Sequence, residues 1–375
     1  MNNGISLYIH IPFCRQKCLY CDFPSFSGKE NFMYEYILAL CKEINFKVNK
    51  KVNTIFIGGG TPTYLTLECL NILKNSIDNL DKDENFEFTV EGNPDSFSKE
   101  KLEFFKSMGV NRLSIGLQAW QNSLLKKIGR IHNREQFINT YNEARKIGFN
   151  NINVDLMMGL PNQSLNDLKE TLNEVIKLNP EHISCYSLIV EEGTVFYDMD
   201  RKGKLNLPDE DDVVAMYDFC VNFLKDNGYL QYEISNFSKK NLECKHNLTY
   251  WNLKDYIGCG SGAHSYIEGL RYKNYDDIEK YINMINKNKN AVIEEYKNTI
   301  EDEMEEFMFL GLRKIEGISI KDFKNRFKID IYDIYKDVIE KFVKRNLLIK
   351  NKDRIYLSYE GVKLSNQVMC EFILN

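Results

Sequence analysis

No stretch of this 375-residue chain runs to 18 apolar residues, so nothing in it reads as a transmembrane helix. A secretory leader is missing too. The opening "MNNGISLYIHIP" has neither a basic start nor a long apolar stretch, and a cytoplasmic protein is expected. Positive charge is not in excess: the formal net charge is −5. A general nucleic-acid binder needs a cationic face to displace counterions, so no nucleic-acid partner is expected. There is no low-complexity linker, and no internal repeat beyond an alternation of strand-like and helix-like segments. What remains is ordinary globular composition, 43 % hydrophobic and 27 % charged. The length suits one large α/β barrel with an appended domain. Of the ten cysteines, Cys41, Cys69, Cys185, Cys220, Cys244, Cys259 and Cys370 are scattered singly and read as small buried side chains.

The first half alternates in a regular way. Short runs rich in Ile, Val, Phe and Tyr predict strands at 6–11, 52–57, 86–91, 112–117, 151–158 and 182–190. Between them lie helical stretches with legible ends. Ser98, Asn133 with Gln136, and Ser164 with Asp167 stand where N-caps belong, and Gly109 and Gly148 where left-handed caps fall. Six β–α units in series imply a parallel sheet, either open and doubly wound or curved into a barrel. Beyond about residue 195 the pattern changes. A helix at "PDEDDVVAMYDFCVNFLKDNG" and a strand at "YLQYEISNFS" precede a dense stretch, "CKHNLTYWNLKDYIGCGSGAHSY". From about 299 the order helix, helix, hairpin, helix suggests a small winged-helix-like domain. The expected division is 1–195, 196–298 and 299–375.

"CRQKCLYC" places Cys14, Cys18 and Cys21 in a loop directly after the first strand. Three thiolates at this spacing favour an iron–sulfur cubane with one iron lacking a protein ligand. A small molecule bearing an amine and a carboxylate could chelate that iron. The competing reading is a zinc loop completed by His10, but His10 falls within a strand pattern. "IFIGGGTPTYL" follows the second strand. Its glycines allow close backbone approach to a ligand, or simply make a tight turn. No Gly-Lys-Ser/Thr follows, so it is not a phosphate-binding Walker loop. Glu91, Gln118 and Asp155 fall at the C-terminal ends of successive strands. Both α/β architectures build their sites there. Asp155 interrupts an apolar strand, where an unpaired carboxylate is costly.

The cysteine loop with Tyr20 before its last cysteine, together with GGGTP, resembles the radical-SAM superfamily. "YIHIPFC", "EGNP", "SIGLQ", "GRIHNREQ" and "VDLMMGLP" narrow the resemblance to the oxygen-independent coproporphyrinogen oxidase group, over nearly the whole chain. The resemblance implies a partial (βα)6 radical-SAM barrel, then an α+β region and the small C-terminal domain. It implies a [4Fe-4S] cluster on Cys14, Cys18 and Cys21, with S-adenosylmethionine (SAM) contacted by Tyr8, Gly59, Gly60, Thr61, Glu91, Gln118, Arg130 and Asp155. Arg130 would fork onto the SAM carboxylate.

That group has two branches, a dehydrogenase that decarboxylates coproporphyrinogen III and a heme chaperone. The dehydrogenase carries a fourth cysteine two places beyond the third, where this chain has Phe23, and a long N-terminal extension, where only about five residues precede the first strand here. "HNLTYW" matches the HNxxYW motif of the chaperone branch. The chaperone branch implies heme as cargo, with His246, Tyr250 and Trp251 as heme contacts. An imidazole suits iron and the two aromatic faces suit a porphyrin. Cys244, Cys259 and His264 are alternative iron ligands, and a core tryptophan beside a turn is the plainer reading of the motif. The implied partners are recipient respiratory hemoproteins, reached at a membrane surface through a partner.

Overall fold

The computed structural model describes residues 4–374. Residues 1–3, on which part of the leader reading rests, lie outside the described residues. The first half runs β1 (Ile5–Ile11), α1 (Met33–Lys47), β2 (Val52–Gly59), α2 (Leu67–Asp78), β3 (Lys82–Gly92), α3 (Lys99–Ser107), β4 (Arg112–Gln118), α4 (Asn122–Lys127), α5 (Arg134–Ile147), β5 (Ile152–Met158), α6 (Leu165–Leu178) and β6 (His182–Ser187). All six expected strands form, the sixth ending at Ser187 rather than 190. The caps are where the sequence places them. Asn133 with Gln136 and Ser164 with Asp167 close reciprocal capping boxes, and Gly148 ends α5 at φ +95°. Strands β1 to β6 lie side by side in chain order, all parallel. A doubly wound sheet would reverse its order at the middle; this one does not, so its helices stack on one face and the other face encloses a lumen.

Period-two alternation decides what each face holds. Leu7, Ile55, Phe88, Leu113, Val154 and Ile183 point under the helices and are fully buried. Each such side chain contributes about 1.5–3 kcal/mol. The lumen face is polar: Ser6, Thr54, Glu87, Thr89, Arg112, Ser114, Asn153, His182 and Ser184 are all buried there. Polar groups at that depth need partners, and most find them in one another or in the second half of the chain.

That half comprises α7 (Val195–Arg201), α8 (Glu210–Asp226), β7 (Leu230–Glu233), β8 (Asn236–Ser238), α9 (Lys245–Trp251), β9 (Tyr256–Cys259), β10 (His264–Ile267), β11 (Leu270–Asn274), α10 (Ile278–Asn288) and β12 (Val292–Lys297). The whole sheet has twelve strands in the order β12-β11-β10-β9-β1-β2-β3-β4-β5-β6-β8-β7 and stays open at both edges. Two expectations change. "YLQYEISNFS" is a hairpin, β7 pairing antiparallel with β8, rather than one strand. The dense stretch supplies β9, a seventh parallel strand beside β1.

The chain ends in α11 (Ile300–Gly311), β13 (Ile318–Ser319), α12 (Ile320–Phe327), α13 (Ile331–Lys344), β14 (Leu348–Lys350), β15 (Arg354–Leu357), α14 (Tyr359–Lys363) and α15 (Ser365–Met369). Its three strands form a separate sheet, β13-β15-β14, over a core of their own that includes Met308, Phe323, Tyr335 and Phe372. Backbone bonds from Ile234 to Arg313 and from Ile315 to Tyr232 join it to the β7–β8 turn. No helix among the described residues is long and apolar enough to cross a membrane.

Candidate functional site

A cavity of about 440 Å³ opens at the C-terminal ends of the parallel strands. Cys14, Cys18, Cys21, Gly59, Gly60, Thr61, Glu91, Gln118, Arg130 and Asp155 all line it, although the chain separates the first from the last by most of a domain. Tyr8 does not. It lies one layer deeper, its hydroxyl 3.0 Å from Nδ1 of His10, and burial together with the Glu91 charge holds that hydroxyl well above its usual range.

The cysteine loop is fixed from several sides. Cys14 N donates to the Phe26 carbonyl and Phe26 N to that of Pro12, closing the loop at its base. His10 Nε2 pairs with the Pro24 carbonyl at 2.8 Å. That engages the imidazole away from the thiols and removes the zinc reading in which His10 is the fourth ligand. The Thr61 hydroxyl donates to Cys14 Sγ at 3.4 Å. Burial raises the thiols of Cys14 and Cys21. Among the described residues no three ligating side chains converge on one point as a single ion requires. A cubane takes one thiolate per iron and wants sulfurs spread about its corners, so three thiols lining one wall suit a cluster better than a zinc ion. Gly60 keeps that wall open: a Cβ there would stand 2.8 Å from the Phe13 carbonyl and 2.9 Å from Cys14 Sγ.

The far wall suits a zwitterion. Glu91 Oε2 accepts from Gly59 N at 3.4 Å. Asp155 accepts from the Ser114 hydroxyl at 2.9 Å and from Asn153 Nδ2 at 2.7 Å. Two carboxyl groups on neighbouring parts of one wall suit an ammonium group and ribose hydroxyls. Arg130 is half-buried, with one terminal nitrogen on the Tyr20 hydroxyl at 2.9 Å and the other on Asn93 Oδ1. Its Nε finds no partner among the described residues. A guanidinium at the cavity wall fits a ligand carboxylate through its terminal nitrogens. Gln118 reaches the cavity from a left-handed backbone, φ +70°, at the end of β4 where the register with β5 slips. The residues therefore fit both groups the motifs imply, a cluster on the cysteines and SAM between them and Arg130.

Burial, then the nearby charge of Asp155, raises Glu91 from 4.5 to about 8. Folding thus favours the protonated form. The stabilisation is fully present below about pH 4.5 and is lost as pH rises through about 8. The expected outcome for the metal-free chain is a fall in thermal stability between about pH 5 and 8, on the order of a few kcal/mol. Glu91→Gln should flatten that fall. Scanning calorimetry across this range checks it, and an unchanged slope in the variant contradicts it.

Asn93, Ser114 and Tyr186 also line the cavity and were not singled out in the sequence. Asn93 stands two places beyond Glu91 in the same strand-end motif, and Ser114 shares a strand face with Gln118, so both had a positional signal.

The HNxxYW residues lie elsewhere. Helix α9 closes the opposite, N-terminal mouth of the lumen. Glu87 accepts from the backbone N–H groups of Lys245 and His246, both at 3.0 Å. The Thr249 and Ser6 hydroxyls meet at 2.7 Å. His246 is buried, with Nδ1 2.7 Å from Thr54 Oγ1 and Nε2 2.8 Å from the Tyr250 hydroxyl. Burial depresses its pKa to about 3. Trp251 is stacked by the Arg313 guanidinium at 4.4 Å. The small cavity beside Tyr250 measures about 140 Å³, below the range of pockets for drug-sized ligands. Cys244 is buried against Glu87, Cys259 is buried on β9, and His264 is exposed on β10.

Residues 8–175 match the family model of the Radical SAM superfamily, and residues 298–364 that of the HemN C-terminal domain. The chain is 41 % identical to the heme chaperone HemW of Bacillus subtilis, over 98 % of this chain and 99 % of that one. It is 38 % identical to the heme chaperone HemW of Lactococcus lactis, over 99 % and 97 %. Among solved structures it resembles coproporphyrinogen III oxidase (HemN) from Escherichia coli, described as a radical SAM enzyme. The TM-score is 0.87 at 22 % identity, over 99 % of this chain and 90 % of that one. At that identity the likeness speaks for the fold.

Proposed function

We propose, for a chain that belongs to the HemW family of the radical SAM superfamily, that it is a heme chaperone which keeps a [4Fe-4S] cluster and a SAM site and delivers heme to respiratory hemoproteins. The observation that carries the reading is the full-length similarity to heme chaperones combined with Phe23 in place of a fourth loop cysteine. In this reading Cys14, Cys18 and Cys21 hold the cluster. Glu91 and the glycine run take the SAM ammonium group, Arg130 its carboxylate, and Asp155 with Gln118 its ribose. A cluster held there supplies one-electron chemistry to SAM. The chain's own part is to bind, orient and shield the ligand, with Arg130 already held by Tyr20 and Asn93.

Heme at His246 demands movement. Thr54 and Tyr250 must release the two ring nitrogens, and α9 must shift from the mouth of the lumen before a porphyrin can enter. Titration of the anaerobically reconstituted chain with ferric heme tests the proposal. A saturable Soret band is expected, altered in His246→Ala. An unchanged band in that variant removes His246 as ligand and leaves it the task of closing the lumen. No heme binding at all contradicts the chaperone reading. So does conversion of coproporphyrinogen III to protoporphyrinogen IX under reducing conditions with SAM, which favours the dehydrogenase alternative.

A further inference from the structure

Asp155 is connected to α9 by a run of hydrogen bonds that crosses the lumen and has one direction. Asn153 Nδ2 donates to Asp155 Oδ1 at 2.7 Å and to Ser114 Oγ at 2.8 Å. Turning that amide over would set its oxygen against the carboxylate, so its oxygen must face the other way. There it meets His182 Nδ1 at 2.6 Å and accepts from the Ser184 hydroxyl at 3.2 Å. His182 therefore carries its proton on Nδ1, and its bare Nε2 accepts from the Tyr232 hydroxyl at 2.9 Å. The Tyr232 oxygen in turn accepts from the backbone N–H of Cys244, the residue that precedes α9, at 3.4 Å. Asn153 and His182 are buried, and burial beside Arg112 keeps the imidazole neutral, as a fixed tautomer requires. Every donor in the run points toward Asp155, an arrangement in which each bond polarises the next.

None of Asn153, His182 and Tyr232 lines the cavity. We infer that these three are positioning residues: they aim the Asp155 carboxylate at the ligand of the cavity without touching that ligand, and tie it to the HNxxYW helix. The inference rests on the reading of the cavity as a SAM site.

The test compares two hydroxyl deletions in the full chain reconstituted anaerobically with its cluster. Tyr232→Phe removes two links of the run. Tyr229→Phe is the control: its hydroxyl makes one buried bond, to the Pro180 carbonyl at 2.7 Å, and joins no part of the run. SAM affinity is read by equilibrium dialysis, and the change in the electron paramagnetic resonance of the reduced cluster on adding SAM is read alongside. Tyr232→Phe is expected to weaken SAM binding about three- to tenfold, the size of one hydrogen bond's net worth, and to alter that resonance. Tyr229→Phe should leave both within about twofold. Equal losses in the two variants, or none in Tyr232→Phe, overturn the inference. If Tyr232→Phe does not fold, nitrogen NMR of the histidine-labelled parent chain decides. A bare Nε2 on His182 supports the run, and a protonated one overturns it. A parent chain that binds no SAM refutes the reading of the cavity instead, and the tautomer still answers for the run.

Discussion

The Cys18→Ala chain, reconstituted anaerobically with iron and sulfide, is expected to emerge almost colourless, its iron reduced from about four per chain to well under one. Three thiols line the cavity wall, and Asp22 and Glu191, which line it too, offer only hard carboxylate oxygens in place of a soft thiolate. His10 is turned to Pro24, the carboxyl of Glu91 to the glycine run, and position 23 is phenylalanine. Losing one of three ligands leaves two irons of a cubane without protein support, and a cluster held by two thiolates does not persist. The thermal stability of the metal-free chain should change little, because the Cys18 side chain is only partly buried and makes no hydrogen bond that holds the loop. Iron and sulfide analysis with the visible spectrum checks it. Full iron content in the variant would place the metal elsewhere.

Arg130→Leu is expected to weaken SAM binding on the order of a hundredfold, the scale of losing a buried, forked ion pair with a carboxylate. Its partners Tyr20 and Asn93 hold the guanidinium at the cavity wall, where its terminal nitrogens can meet a ligand. A lysine cannot restore the fork, so Arg130→Lys should recover little of the loss. Cluster iron should be retained in both variants, since Arg130 touches the cysteine loop only through Tyr20. Equilibrium dialysis with SAM reads the effect. Affinity within about threefold of the parent would remove Arg130 from the carboxylate.

Much of this was legible because the relevant signals are local. The six strands follow from β-branched and aromatic runs, and the capping residues of α5 and α6 stand beside the turns they close. Asp155 drew notice as a carboxyl inside an apolar strand, and the partners it finds, Ser114 and Asn153, are what such a group must have. Strand β9 escaped because "YIGC" is short and runs straight into "GSG", and only pairing with β1, far away in sequence, makes it a strand. The seating of His246 escaped for the same reason. The motif left open a heme ligand or a residue beside a core tryptophan, and only the fold brings Thr54 to one nitrogen and Tyr250 to the other. The polar lumen was also hidden. Alternation along each strand announced two faces, but a parallel sheet buried on both sides normally reads as apolar throughout.

The account depends on a cluster with one corner left for a ligand that is not protein. Mössbauer spectroscopy of the chain reconstituted with enriched iron, before and after SAM, measures that corner directly. The expected result is that about one quarter of the iron changes its spectrum when SAM is added, as a single iron of the cubane gains nitrogen and oxygen ligands. Iron that responds uniformly, or not at all, would contradict it.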